Sequence, residues 1–332
     1  MGRAEDGGVV FSSIEGLNMQ SGHDRGTVVA HVVALDANQR RVHLSDGQTL
    51  AYERLSLDVG SETDVRWLQA TGPRLLPIKP LDRFIAAWPR LLAQAGAQPG
   101  FRLCVVGGGA AGFELALAAR HALRRHAPEA EVMLVAGPAG VLPGHAAGVR
   151  RRAVRQLQRA DIAILTQRAV GDERGVMLED GQVVHADVVL AATGARPPAW
   201  LADAGLRCDE AGFVAVDAHH RSVSHPDVYA AGDVCCRVDV PMARSGVHAV
   251  HAGPVLAHNL LAPPRSAALA VYRPRRYSLY LLACGRRYAI ASWGPFSAEG
   301  AWVWRWKDAI DRRFIARFSG GTLETDTEEA AR

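Results

Sequence analysis

Val105-Val106-Gly107-Gly108-Gly109-Ala110-Ala111-Gly112-Phe113-Glu114 sets three glycines at G-x-G-x-x-G spacing between an apolar run and a helical pattern. Each glycine answers a separate demand. Gly107 allows the tight turn, Gly109 lets backbone approach a pyrophosphate, and Gly112 lets helix and strand pack closely. The helix that follows points its N-terminal amides, and the positive end of its dipole, at the phosphates. On the near side Arg102–Val106 reads as a strand. On the far side a helix is predicted from Gly112 to about Arg125, then a strand over Glu131–Val135, completing a βαβ unit. An acid at the end of that second strand would hold the ribose hydroxyls of NAD. The sequence there is Leu134-Val135-Ala136-Gly137, with neither an acid nor an Arg in the next several positions. The choice between NAD and NADP is left open.

Outward from this unit, short β runs over Thr27–Leu35, Arg41–Leu44 and Gln48–Leu57 are separated by Asp36-Ala37-Asn38 and Ser45-Asp46-Gly47, the pattern of a small antiparallel meander. Pro80 to about Gln94 has helical spacing with a kink expected at Pro89. A helix near Ala147–Arg159, a strand Ile162–Leu165, a hairpin around Glu179-Asp180-Gly181 and a strand Val188–Ala192 follow. Val228–Ala231 reads as a buried strand, a helix runs from about Ser245 to Leu261, and Ala262–Arg265 resembles a linker. Tyr277–Ala283 and Arg287–Trp293 read as paired strands, and Trp302–Phe318 as a basic, aromatic helix. Residues 1–26 are Gly-rich and without period, as in a disordered tail.

The chain has 332 residues, 48% hydrophobic and 22% charged, which excludes disordered and collagenous classes. Its 38 basic and 34 acidic residues leave a net charge of +4, no footprint for nucleic acid. Lys occurs only at Lys79 and Lys307. Cysteines 104, 208, 235, 236 and 284 form no C-x-x-C pair, so neither a disulfide framework nor a metal site is expected. No apolar run is long enough for a membrane span and no signal peptide is evident, so a cytoplasmic protein is expected.

Two further signatures join the glycine loop. Val188–Ala192 ends in Thr193-Gly194, and Val228-Tyr229-Ala230-Ala231 ends in Gly232-Asp233. In this order the three motifs resemble the FAD-dependent pyridine nucleotide-disulfide oxidoreductases. Tyr288–Phe296 and Trp302–Phe314 resemble the end of the NADH dehydrogenase-like branch, most of all the flavoprotein module found fused to selenide, water dikinase.

The resemblance implies an α/β fold with two Rossmann-like, three-layer nucleotide-binding lobes and a small C-terminal α+β region. Residues 1–61 would begin the FAD lobe, 62–196 form the NAD(P) lobe, 197–262 complete the FAD lobe, and 263–332 form the C-terminal region. NAD(P)H would lie at Gly107, Gly109 and Gly112, with Glu114, Thr193 and Gly194 nearby. FAD would lie at Gly232, Asp233 and the helix start Ser245-Gly246-Val247. Glu114 is the one candidate catalytic group, and an ordinary first-turn helix acid is its plain alternative. Asp233 could likewise merely cap a turn. Leu57-Asp58-Val59-Gly60-Ser61 resembles the family's crossover, with Asp58-Val59 where Ala-Thr is usual. Lys79 could touch a cofactor or extend along apolar surface.

The family's first G-x-G-x-x-G, which holds the FAD pyrophosphate, is not found upstream of Asp58, so the FAD lobe is expected to be incomplete at its N-terminus. The expected activity is transfer of electrons from NAD(P)H through FAD to a quinone or other small acceptor. The alternative is a nucleotide- or partner-binding remnant without FAD. A simple NAD-dependent dehydrogenase is disfavoured because no Tyr-x-x-x-Lys pair follows. Adjacent Cys235-Cys236 read as two buried thiols. The helix Trp302–Phe318 could contact the inner face of a membrane, pack on its own lobe, or form a homodimer.

Overall fold

The computed structural model describes residues 9–12, 28, 30–263 and 268–318. It divides into two compact units, Val65–Gly194 with Tyr277–Arg332, and Met1–Asp64 with Ala195–Arg276.

The unit carrying the glycine loop is built on a five-stranded parallel sheet in the order Ile162–Leu165, Glu131–Val135, Arg102–Val106, Val188–Ala191, Leu75–Pro77. The inner strands Arg102–Val106 and Val188–Ala191 are almost wholly apolar because both faces of the sheet are covered. Helices α1 (Leu81–Ala97), α2 (Ala110–His126) and α3 (Ala147–Arg159) are the α-helices of this unit before residue 160. Phe113, Ala116, Leu117 and Leu123 of α2 are buried in one core with Leu103, Val105, Leu134 and Leu190. The alternate side chains Cys104, Val106, Val135 and Val189 join Val176, Leu178 and Val184 of an antiparallel sheet formed by Ala169–Asp172, Gly175–Leu178 and Val183–His185. Strand alternation thus feeds two cores, and the unit has three layers. No break interrupts α1 at Pro89, where a kink is expected. Pro89 is exposed, so the carbonyl it leaves without a partner can turn to water.

In the other unit, Val9–Ser12, Arg54–Leu57 and Val228–Ala230 form a parallel sheet in that order. Two expectations change here. Val9–Ser12, placed in the disordered tail, is a strand, because its Val-Val-Phe run suits the free edge of Arg54–Leu57. The rest of 1–26 lies outside the described residues. Gln48–Leu57 is two strands: Thr49–Ala51 closes the meander with Val32–Asp36 and Arg41–Leu44, while Arg54–Leu57 enters the parallel sheet. The buried Tyr52 marks the change of direction. Helix α4 (Gly246–Leu261) packs Ala252, Leu256 and Leu260 against Tyr229, Ala231 and Tyr272. The linker expected at Ala262–Arg265 lies partly outside the described residues.

The C-terminal residues join the glycine-loop unit. Leu279–Ala283, Ala289–Trp293 and Phe296–Gly300 form an antiparallel meander, its third strand unforeseen in the sequence. Leu282 and Ile290 enter the core of α2. Glu299 accepts hydrogen bonds from Arg155 and Gln156 of α3. Helix α5 (Ala301–Phe318) buries Val303 fully but leaves Trp302, Trp306, Ile310 and Phe314 exposed. Trp302, Trp306 and Ile310 therefore lie off the face that buries Val303.

Candidate functional site

The glycine loop runs off the strand Arg102–Val106 at its carboxyl end. Gly107 has φ +137°, and a Cβ there would collide with the carbonyl of Ala192. A Cβ on Gly112 would collide with the carbonyl of Gly107. Gly109, the residue before α2, is different: nothing lies within 4 Å of a Cβ position there, and no side chain caps the helix. Two glycines close the turn and the third faces open space, which is what a pyrophosphate cradle requires. The Thr193 amide lies 3.3 Å from the Cβ position of Gly107. Gly107, Gly109, Gly112, Thr193 and Gly194 are thus gathered at one edge of one sheet.

A second loop borders this cradle. A Cβ on Gly108 would stand 2.5 Å from the Ala136 oxygen and 2.7 Å from that of Gly140, and the Leu142 amide donates to Gly108 at 2.7 Å. Arg150 of α3 reaches the same loop, donating from Nη2 to the Ala139 carbonyl at 2.7 Å and from Nε to Val141 at 3.3 Å. Arg150 carries no sequence signal of its own, because it stands on the next helix, well beyond the end of the strand Glu131–Val135.

Glu114 is on α2, where its Oε1 accepts a hydrogen bond from the Ala283 amide at 2.6 Å. Burial pushes its carboxyl above the ordinary range, opposed by that amide and by the Lys307 ammonium. Glu114 also lines a cleft of about 540 Å3 with Ile78, Lys79, Leu81, Phe84 and Leu115. The aliphatic and aromatic members of this lining carry no sequence motif. Their convergence depends on α1, α2 and the turn after Ala283.

The remaining candidates lie in the other unit. Arg54–Leu57 and Val228–Ala230 run side by side, and the Ala231 amide donates to the Leu57 carbonyl at 3.1 Å. The two segments leaving these strands therefore stay adjacent, with Ser61 Oγ donating to Asp233 Oδ2 at 3.4 Å. Gly232 takes φ +72° in this turn. Burial raises the Asp58 carboxyl pKa, against hydrogen bonds from the Ser56 hydroxyl and the Ala231 amide. Ser245 precedes α4 without capping it, and its Oγ is buried with no partner among the described residues. Helix α4 is held along its length by one crossing segment. His248 in its first turn pairs with Tyr272 Oη at 2.8 Å, and Asn259 near its end exchanges hydrogen bonds with Ala270 at 2.9 and 2.7 Å. Gly246 and Val247 are so presented on a fixed helix start.

Burial lifts the Cys235 thiol to about 12 and that of Cys236 to about 11, and both are free. Both are therefore protonated at neutral pH and unsuited to thiolate chemistry.

Known proteins match this arrangement. The chain is 37% identical over 212 residues to the ferredoxin–NAD(+) reductase component of the biphenyl dioxygenase system of Paraburkholderia xenovorans, covering 61% of this chain and 48% of that protein. It is 28% identical over 217 residues to an NADH dehydrogenase-like protein of Mycobacterium tuberculosis, covering 62% and 54%. The chain thus spans about half the length of these relatives. The fold matches that of the sulfide:quinone oxidoreductase of Aquifex aeolicus with a TM-score of 0.70 at 16% identity, over 90% of this chain and 77% of that one. The sequence profile of the pyridine nucleotide-disulphide oxidoreductases, which are FAD- and NAD(P)-dependent enzymes, matches residues 16–259, and this chain belongs to that family.

Proposed function

We propose that this chain binds NAD(P)H at the glycine loop and FAD at the Asp58–Ser61 and Gly232–Asp233 turns with the start of α4, and that it passes electrons to a quinone or another small apolar acceptor. The carrying observation is the glycine loop itself, closed at Gly107 and Gly112 and open at Gly109. The donor set on the flavin side also fits. Asp233 supplies a carboxylate for ribityl hydroxyls, and the amides of Gly246 and Val247 with the buried Ser245 Oγ, which has no partner among the described residues, supply donors for the pyrimidine edge. Bound FAD would supply the redox relay between nucleotide and acceptor. Protein groups then position the rings and exclude water, and no general acid or base is required.

A small acceptor is favoured over a protein one by the cleft beside Glu114. Its volume of about 540 Å3 and its Ile78, Leu81, Phe84 and Leu115 lining suit a small apolar molecule. Helix α5 supports a membrane-borne acceptor, since exposed Trp302, Trp306 and Ile310 stand among Arg305, Arg312 and Arg313.

The test is the visible spectrum of the purified protein before and after added FAD, then after anaerobic NADH or NADPH, with a short-chain quinone added last. Flavin bands that bleach with nucleotide and return with quinone support the proposal. A protein that stays colourless in excess FAD overturns it in favour of a nucleotide-binding remnant.

A further inference from the structure

The Ala136–Val141 loop borders the glycine cradle, so the adenosine ribose of a dinucleotide bound there would come to it. An NAD site places a carboxylate at this point to accept from the ribose 2′-hydroxyl. Here the residues are Ala136-Gly137-Pro138-Ala139-Gly140-Val141, which have no carboxylate. What α3 brings instead is a cation. Arg150 is exposed, yet it is fixed by its bonds to the Ala139 and Val141 carbonyls, made through Nη2 and Nε. Two of its five N–H groups are used in this way, and the Nη1 edge makes no hydrogen bond among the described residues. A guanidinium anchored on one edge and open on the other is preorganised for an oxyanion, because the entropy of ordering a long side chain has already been spent on the carbonyls. Arg151 follows it in the chain and adds positive charge.

We propose that Arg150 is the specificity-determining residue of the nucleotide site, and that it selects NADPH by pairing with the 2′-phosphate. This rests on the nucleotide reading of the glycine loop given above. Two absences of repulsion support it. No acid in the loop opposes a phosphate, and Gly140, at positive φ, keeps clear the space where a Cβ would stand 3.3 Å from Arg150 Nη2.

The experiment is a titration of the whole chain with 2′,5′-ADP and with 5′-ADP, followed by NADPH and NADH, in wild type, Arg150→Ala and Arg150→Lys. None of these readouts requires flavin. Wild type is expected to bind the 2′-phosphorylated ligand of each pair at least tenfold more tightly. Arg150→Ala should remove that preference while leaving 5′-ADP within about twofold, and Arg150→Lys should keep part of it. Equal affinity for both ligands in wild type, or a preference for NADH, overturns the inference. So does an Arg150→Ala variant that weakens both ligands alike, since that result makes Arg150 a brace for the loop only. A wild type that binds neither ligand overturns the nucleotide reading of the glycine loop, and the inference with it.

Discussion

The backbone oxygen of Gly107 occupies the space that a Cβ on Gly112 would need. Helix α2 and the strand before it can meet at that distance only without a side chain. Gly109, three residues away, has open space around it instead. The two positions should therefore fail in different ways. Gly112→Ala should displace the loop, destabilise the protein by about 1–3 kcal/mol, and weaken nucleotide binding. Gly109→Ala should weaken nucleotide binding while leaving the melting temperature near wild type. Thermal melts beside nucleotide titrations check this, and an unstable Gly109→Ala would contradict it.

Glu114 fills the acceptor role for a main-chain amide at Ala283. Glu114→Ala leaves that N–H without a partner and should cost about 1–3 kcal/mol, whereas Glu114→Gln keeps an acceptor and should cost much less. The same pair of variants separates the two readings of this residue. If Glu114 touches the nicotinamide or flavin, KM or kcat shifts in both variants. If it is a strut for the C-terminal meander, only the Ala variant is impaired.

Asp58 gives stability an acid-side dependence. Burial raises its pKa in the fold, so the folded protein keeps that proton to higher pH than the unfolded chain does. Its contribution is fully present below the ordinary value of 3.8 and is lost as pH rises through the raised value. Asp58→Asn retains an acceptor for the Ser56 hydroxyl and removes the ionisation. Denaturant midpoints should then coincide with wild type at pH 3.5 and exceed it at pH 7. A variant less stable at pH 7 would show that the carboxylate is stabilised by a partner.

The exposed stripe on α5 predicts binding to anionic vesicles. Trp306→Ser with Ile310→Ser removes two exposed apolar side chains, and at ~25 cal/mol per Å2 of apolar surface withdrawn from water this should weaken partitioning by at least about tenfold. Raised salt should weaken wild-type binding as well, because Arg305 and Arg313 contribute by charge. Sedimentation with vesicles measures both effects. A chain that ignores vesicles but elutes as a dimer, and as a monomer once doubly substituted, would assign the stripe to a second copy.

Some of this molecule could be read from its residues in order. The glycine loop, the strands around it and the helix α2 depend on steric and periodic demands that act within a few residues, so Gly107, Gly109 and Gly112 stand where their spacing predicts. The Thr193-Gly194 and Gly232-Asp233 turns are legible for the same reason, each being the end of an apolar strand. The boundary near Tyr52 is hard to read because no Gly or Pro marks it, and only Glu53-Arg54 stands between the end of the antiparallel meander and the apolar run of the parallel strand.

The rest was decided by contacts between distant residues. Arg150 meets the Ala139 and Val141 carbonyls because α3 folds back over the loop that precedes it. Glu114 meets Ala283 across 169 residues of chain, and His248 meets Tyr272 across 24. The meander from Leu279 to Gly300 joins the core of α2 because Leu282 and Ile290 find their apolar partners there. Local sequence fixes which backbone shapes are open to each segment, since sterics and hydrogen bonding act between near neighbours. Which side chains come to share a site is set only when burial of apolar surface brings remote segments together, and the place of Arg150 beside the loop and the cleft at Glu114 both belong to that second level.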